Sequence, residues 1–226
     1  KALDAKLEPE QAPLIELGSE AAIAMAAQMN TVEFHTWNAR GRNIDRPDRF
    51  ILDLDPGDGV PWPRVQEAAV LVHTLLDELG LRAWLKTSGG KGLHVVVPLA
   101  ARHGWDAVKD FTQALVQHLA RLMPDRFVDK SGPANRVGKI YVDYLRNSQG
   151  ATTVAAYSAR ARPGLGVSMP VAWDALDSVK SAAQWNIANA RDHLSFVTDD
   201  PWAGMAQCRQ GLTKAMKTLG VAGTSK

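Results

Sequence analysis

The sequence predicts an α+β fold: a mixed, largely antiparallel sheet core flanked by helices. Three observations carry this. Strand-like and helix-like stretches follow one another as strand, helix, strand, strand, helix, strand, which is not the strict alternation of a doubly wound parallel sheet. Two apolar strands flank a glycine-rich turn at 88–92, the mark of a hairpin. Two long segments, 63–79 and 105–122, repeat apolar residues every three or four positions and so need a surface to cover.

The elements follow in order. Ser19 caps an Ala-rich helix over 20–29. Residues 31–37 read as a strand, and 49–54 as a second one, set between Pro47 and Pro56-Gly57. The helix at 63–79 carries Val65, Ala68, Ala69, Val72, Leu75, Leu76 and Leu79 on one face, and Gly80 stops it. Strands 82–87 and 93–99 flank the glycine turn. The helix at 105–122 ends ahead of Pro124. Short strands are expected at 139–144 and 152–157. Pro163, Gly164, Gly166 and Pro170 make 160–170 a loop, and 184–194 and 202–219 read as helices. No repeat, low-complexity tract or linker divides the chain, so 1–226 is expected to be one domain, with 195–226 its C-terminal helical segment.

Composition sets bounds on function. The chain has 226 residues, 46% hydrophobic and 22% charged, which excludes collagen-like, disordered and disulfide-scaffold classes. Cys208 is the single cysteine, which fits a reducing compartment and is expected on a helix. No apolar run approaches the roughly 18 residues that cross a membrane, and no secretory leader is visible. The chain begins at Lys1, as expected of a piece of a longer protein. The net charge of +2 makes no general case for nucleic acid. Between 129 and 162, however, Lys130, Arg136, Lys139, Arg146, Arg160 and Arg162 stand against only Asp129 and Asp143. That is either a solvated basic face or a site for phosphates.

The most informative phrase is Ile51-Leu52-Asp53-Leu54-Asp55-Pro56. On a strand, Asp53 and Asp55 share one face and the leucines take the other. Two such carboxylates repel unless a proton, a basic partner or a cation intervenes, and oxygen donors on a rigid strand suit Mg²⁺ or Mn²⁺. A polar strand end is the plain alternative. Asp143, among apolar and aromatic neighbours on its strand, adds a third carboxylate, and three of them could hold two divalent ions for phosphoryl transfer.

In Ser88-Gly89-Gly90-Lys91-Gly92-Leu93-His94 the glycines open the backbone to an anion. Ser88, Lys86, Lys91 and His94 add donors. It is not a Walker loop, since the spacing differs and no helix follows directly. On its pattern alone, His35 between Phe34 and Trp37 reads as a structural histidine. Arg160 and Arg162, together with Arg146, could clamp a triphosphate or nucleic acid. The residues alone leave three readings open: metal-dependent phosphoryl transfer on an unidentified substrate, a metal-dependent nuclease, and a non-catalytic DNA-end binding module.

The ordered set His35-Thr-Trp-Asn, Asp53-Leu-Asp55-Pro, Ser88-Gly-Gly-Lys-Gly-Leu-His94 and Val142-Asp143-Tyr-Leu-Arg146-Asn147, with Arg160 and Arg162 downstream, resembles the polymerase domain of bacterial DNA ligase D. That family belongs to the archaeo-eukaryotic primase superfamily, and the resemblance, strongest to its Pseudomonas members, runs over about residues 32–194. It implies a primase-like (RRM-like) catalytic core. It implies that Asp53, Asp55 and Asp143 bind two Mn²⁺ or Mg²⁺ ions and carry catalysis. It also implies that His35, Ser88, Lys91, His94, Arg146, Arg160 and Arg162 bind a nucleoside triphosphate. The implied activity is addition of nucleotides, ribonucleotides preferred, to a DNA primer 3′-end, templated or not, during non-homologous end joining. The implied partners are DNA ends or a primer–template, nucleoside triphosphates, Ku, and the ligase and nuclease domains of a longer parent chain. The implied location is the bacterial cytoplasm at the nucleoid. The family's N-terminal strands and aromatic–lysine segment find no match upstream of Glu16, so the chain is expected to lack that part.

Overall fold

The computed structural model of the chain describes residues 1–7 and 13–221. Helix α1 spans Glu20–Gln28, and Ser19 Oγ caps it by accepting from the Ala22 N–H. Strand β1, His35–Thr36, is much shorter than 31–37, because its antiparallel partner β7 offers only Thr153–Val154. The residues before it are held by side chains instead: the Phe34 N–H donates to Ser158 Oγ, and Arg160 takes the Glu33 carboxylate.

The main sheet is built from β2 (Arg49–Pro56), β3 (Trp84–Thr87), β4 (Leu93–Pro98), β5 (Phe127–Val128), β6 (Ile140–Asp143) and β8 (Pro170–Val171). Its order is β5-β6-β2-β4-β3-β8, antiparallel throughout except between β5 and β6. Helix α2 (Trp62–Glu78) crosses from β2 to β3 over one intervening strand, and α3 (Trp105–Leu122) crosses from β4 to the edge strand β5, after which the chain returns through β6 beside β2. This split β-α-β arrangement puts both helices on one face of the sheet. It is the mixed, largely antiparallel sheet the sequence predicts.

The core lies between that face and the helices. Phe50, Leu52 and Leu54 of β2 point into it with Val95 and Val97 of β4 and Val142 of β6. They meet Val65, Ala69, Val72 and Leu76 of α2 and Val108, Phe111 and Leu115 of α3. Phe50 and Phe111 pack edge to face at 5.8 Å. The opposite face is free to carry polar chemistry.

Four expectations need correction. The loop at 160–170 ends in a strand, β8, and Val167 bridges to Ala159. The helix expected at 184–194 starts only at Ala190, as α4 (Ala190–Phe196). The Asn189 side chain accepts from the Asn186 N–H and donates to the Gln184 carbonyl, an alternative to helical bonding that Asn offers readily. The helix expected at 202–219 is broken into a 3₁₀ turn at Met205–Gln207 and α5 (Thr213–Thr218). Gly204 is left-handed, and the Gln210 side chain bonds both backbone groups of Arg82, which ties the non-helical stretch 208–211 to the segment just ahead of β3. Cys208 therefore lies just past the 3₁₀ turn rather than in a helix, half-buried and free. Within 195–226, Leu212, Ala215 and Met216 are buried in the core; residues 222–226 lie outside the described residues. Among the described residues no helix is long and apolar enough to cross a membrane.

Candidate active site

Alternation on β2 buries Leu52 and Leu54 completely under the helices and sends Asp53 and Asp55 to the other face. The pairing register then aligns four strands. Asp53 stands opposite Asp143 on β6 and opposite His94 on β4, and His94 stands opposite Lys86 on β3. One row across the sheet reads Asp143, Asp53, His94, Lys86. All four are buried, and Lys86 is only 2% exposed.

The row is bonded along its length. His94 Nε2 lies 3.2 Å from Asp53 Oδ1, and its Nδ1 lies 2.9 Å from Lys86 Nζ. Lys86 Nζ also donates to Ser168 Oγ at 2.7 Å. Arg146 Nε stands 3.1 Å from Asp143 Oδ2 and 3.7 Å from Asp53 Oδ2. Arg136 Nη1 donates to Asp55 Oδ2 at 3.0 Å.

Electrostatics differ along the row. Burial raises both Asp55 and Asp143, the Asp53 charge adds to this, and Arg136 and Arg146 respectively oppose it, so both end above the usual carboxylate range. Burial also works against Asp53, but His94, Arg146 and Lys86 outweigh it and keep its carboxyl low. Burial lowers His94, and the neighbouring Lys86 lowers it further against the pull of Asp53. Burial brings Lys86 down to about 7.

Oxygen donors of this kind fit a hard divalent cation. Among the described residues no three His, Cys, Asp or Glu side chains close on a single point as a finished cage. The three carboxylates converge on Arg146 and Arg136 instead.

The glycine turn forms the next wall. Ser88 Oγ accepts from the N–H groups of Gly90 and Gly92 at 3.2 and 3.1 Å, closing the turn on itself. A Cβ on Gly92 would lie 2.0 Å from the Leu54 carbonyl oxygen, so only glycine lets the turn approach β2. On its outer side Arg160 Nη1 donates to the Ser88 carbonyl, while Arg160 Nε and the Ala161 N–H grip Glu33. Burial raises Glu33, but bonds from His35 and Ala161 and the Arg160 charge bring its carboxyl down to about 2.

These walls enclose an open cleft of about 410 Å³. Every site residue expected from the sequence lines it except Asp143, which reaches it through Asp53 and Arg146. Lys91 and Arg162 are exposed on the rim, free for a ligand. His35 lies on the cleft wall, its side chain 39% exposed and 2.6 Å from Glu33. Two residues behave differently from expectation. His94 is engaged through both ring nitrogens, and Lys86, expected as a ligand-facing charge, is sealed behind it.

Arg136, Glu33, Thr153 and Ser168 were not singled out as site residues. Arg136 and Thr153 line the cleft, and Thr153 Oγ1 is buried without a hydrogen-bond partner among the described residues. The basic cluster between 129 and 162 was the available signal for Arg136. Nothing local marks Glu33, Thr153 or Ser168, whose positions depend on long-range pairing.

Comparison with known proteins places this geometry. Residues 1–202 match the family model "LigD, primase-polymerase domain", a match that begins upstream of Glu16. The chain is 60% identical over 216 residues to the multifunctional non-homologous end joining protein LigD of Pseudomonas aeruginosa, covering 95% of the chain and 26% of that protein. It is 33% identical over 154 residues to LigD of Mycolicibacterium smegmatis, covering 67% of the chain and 20% of that protein. The chain thus spans only a fifth to a quarter of the length of these curated relatives. Among solved structures, the polymerase domain from Mycobacterium tuberculosis ligase D in complex with DNA superposes with a TM-score of 0.73 at 29% identity, covering 83% of the chain and 67% of that domain. Fold, ordered motifs and similarity agree: the chain belongs to the LigD primase-polymerase domain family.

Proposed function

We propose that this chain carries out metal-dependent nucleotidyl transfer, adding nucleotides to the 3′-end of a DNA primer during non-homologous end joining. The observation that carries the proposal is the cleft itself. It joins three carboxylates on one sheet face to a wall of basic side chains and a glycine turn. Asp53, Asp55 and Asp143 are the residues to hold divalent ions, two Mn²⁺ or Mg²⁺ in this reading. Such ions acidify an attacking hydroxyl and screen the charge of a departing pyrophosphate.

The chain's own groups do the rest. Lys91 and Arg162 reach for triphosphate oxygens, and Arg146, once off the carboxylates, is placed to join them. Arg160, held by Glu33 and the Ser88 carbonyl, fixes the glycine turn and supplies positive potential from a rigid position. Ser88 shapes the turn, and His94 orients Asp53. His35 sits where the cleft opens, as a contact for the nucleotide. We further propose a preference for ribonucleotides, templated or untemplated addition, and Ku with the ligase and nuclease domains of a longer bacterial cytoplasmic parent as partners. The M. tuberculosis ligase D polymerase domain was solved in complex with DNA, which supports a primer end as the substrate.

The test is extension of a labelled primer–template with Mn²⁺, comparing a ribonucleotide with its deoxy counterpart. Extension that disappears in Asp53→Ala, with ribonucleotide favoured, is the expected result. Extension retained in that variant removes Asp53 from the chemistry. Shortening of the primer without nucleotide indicates a nuclease instead.

A further inference from the structure

We infer that Lys86, anchored by Ser168, is a positioning residue for this site: it holds His94 as the tautomer with hydrogen on Nε2 and thereby fixes the Asp53 carboxylate. The inference rests on the proposed reading of Asp53 as a metal-holding group.

A lysine is almost never fully buried unless paired. Lys86 is 2% exposed, and its hydrogen-bond partners are His94 Nδ1 and Ser168 Oγ, both neutral acceptors. Directions of donation settle its role. The Ser168 hydroxyl hydrogen goes to the Thr87 carbonyl at 2.8 Å, so Ser168 Oγ receives from Lys86. The Lys86 amino group has a hydrogen to spare beyond the one given to Ser168 whether it is an ammonium or an amine, and His94 Nε2 faces a carboxylate oxygen, which only accepts. Nδ1 must then be the bare nitrogen, and the ring hydrogen sits on Nε2, 3.2 Å from Asp53 Oδ1. With Oδ1 engaged there, Asp53 Oδ2 is left on the side of Arg146 and the cleft.

The anchor is itself rigid. The Thr87 N–H donates to the Met169 carbonyl, and the Met169 N–H donates to Thr87 Oγ1, which welds the Ser168 segment to β3. Ser168, Lys86, His94 and Asp53 thus form a continuous bonded line that ends at the cleft floor. Outer partners of this sort typically change metal affinity by roughly 10- to 100-fold when removed.

Long-range ¹⁵N–¹H correlation spectra of ¹⁵N-histidine-labelled protein report which ring nitrogen holds the hydrogen. For the wild type the expected result is a protonated Nε2 and a bare Nδ1 on His94, assigned by its loss in His94→Gln. In Lys86→Met the tautomer is expected to become mixed. Mn²⁺ affinity, read as free Mn²⁺ by electron paramagnetic resonance, is expected to weaken by roughly 10- to 100-fold, while the melting temperature is kept. A wild-type His94 protonated on Nδ1 overturns the inference even if Lys86→Met does not fold. A folded Lys86→Met with an unchanged tautomer and unchanged Mn²⁺ affinity overturns it as well. Failure of the wild type to bind Mn²⁺ counts against the metal reading, and the tautomer still decides the role of Lys86.

Discussion

Replacing Asn147 with alanine is expected to be the costliest single truncation near the site that leaves every cleft-lining side chain in place. β6 stops pairing at Asp143, where the chain turns into the 3₁₀ segment Leu145–Asn147. The Asn147 side chain then takes over the ladder along β2. Its Oδ1 accepts from the Ile51 N–H at 2.8 Å, and its Nδ2 donates to the Ile51 carbonyl at 2.8 Å. It also accepts from Asn38 and donates to the Tyr144 carbonyl, and it is completely buried. Asn147→Ala strands both backbone groups of Ile51 away from water. At about 1–3 kcal/mol for each buried unsatisfied group, the loss is about 2–6 kcal/mol. That is a large share of a typical total of about 5–15 kcal/mol. Urea unfolding followed by circular dichroism reads it directly: with a slope of about 2 kcal/mol per molar, the midpoint falls by about 1–3 M. Asn147→Asp keeps the acceptor but turns a second acceptor on two carbonyls, so it should be no better than alanine. A midpoint shift below about 0.5 M in Asn147→Ala, at unchanged slope, would refute the claim that this amide completes the sheet.

Three further outcomes are expected. Asp55→Asn removes one half-exposed ion pair with Arg136 and one source of repulsion for Asp53, so stability should move by no more than about 1 kcal/mol, while primer extension is lost; a variant that unfolds would place Asp55 in the scaffold instead. The Glu33 carboxyl is held at about 2, below its ordinary 4.5, so its contribution is full above about 4.5 and fades as the pH falls towards 2; the gap in melting temperature between wild type and Glu33→Gln should be widest above pH 5 and close by about pH 2, and a gap that stays constant over that range would contradict the assignment. Gly92→Ala forces a methyl group against the Leu54 carbonyl at the cleft edge of β2 and should lower stability by at least about 1–3 kcal/mol in a thermal melt, so a neutral melt would show that the turn can withdraw from β2.

The parts of this protein that sequence made legible are those with strong local signals. The apolar period of α2 and α3, the glycine turn and the alternation of Asp53 with Leu52 and Leu54 each need only a dozen neighbouring residues to be seen. The cross-strand row was not legible, because opposition of Asp143 to Asp53 is a property of register between distant segments. Lys86 looked like a ligand-facing charge for the same reason: only the packing of Ser168 and His94 around it shows that it is sealed. The C-terminal helices failed differently. Residues 184–194 and 202–219 read as helices, but Asn189 and Gln210 offer the backbone other partners, and those bonds replace the helical ones.

The row of four side chains also has a consequence for how this protein is made. Asp53, His94 and Lys86 lie on β2, β4 and β3, which are joined through α2 and one tight hairpin, so their pairing spans less of the chain than that of Asp143 with Asp53. Asp143 arrives only after α3 and β5 have been laid down and β6 has docked on the far side of β2. Pairings across such separations are the slow ones. Docking of β6, which brings the fourth member of the row, is therefore expected to be the later step in refolding. On the proposed metal reading, the gain of cation-dependent behaviour during refolding is expected to coincide with docking of β6 and with the rise of amide protection on Val142.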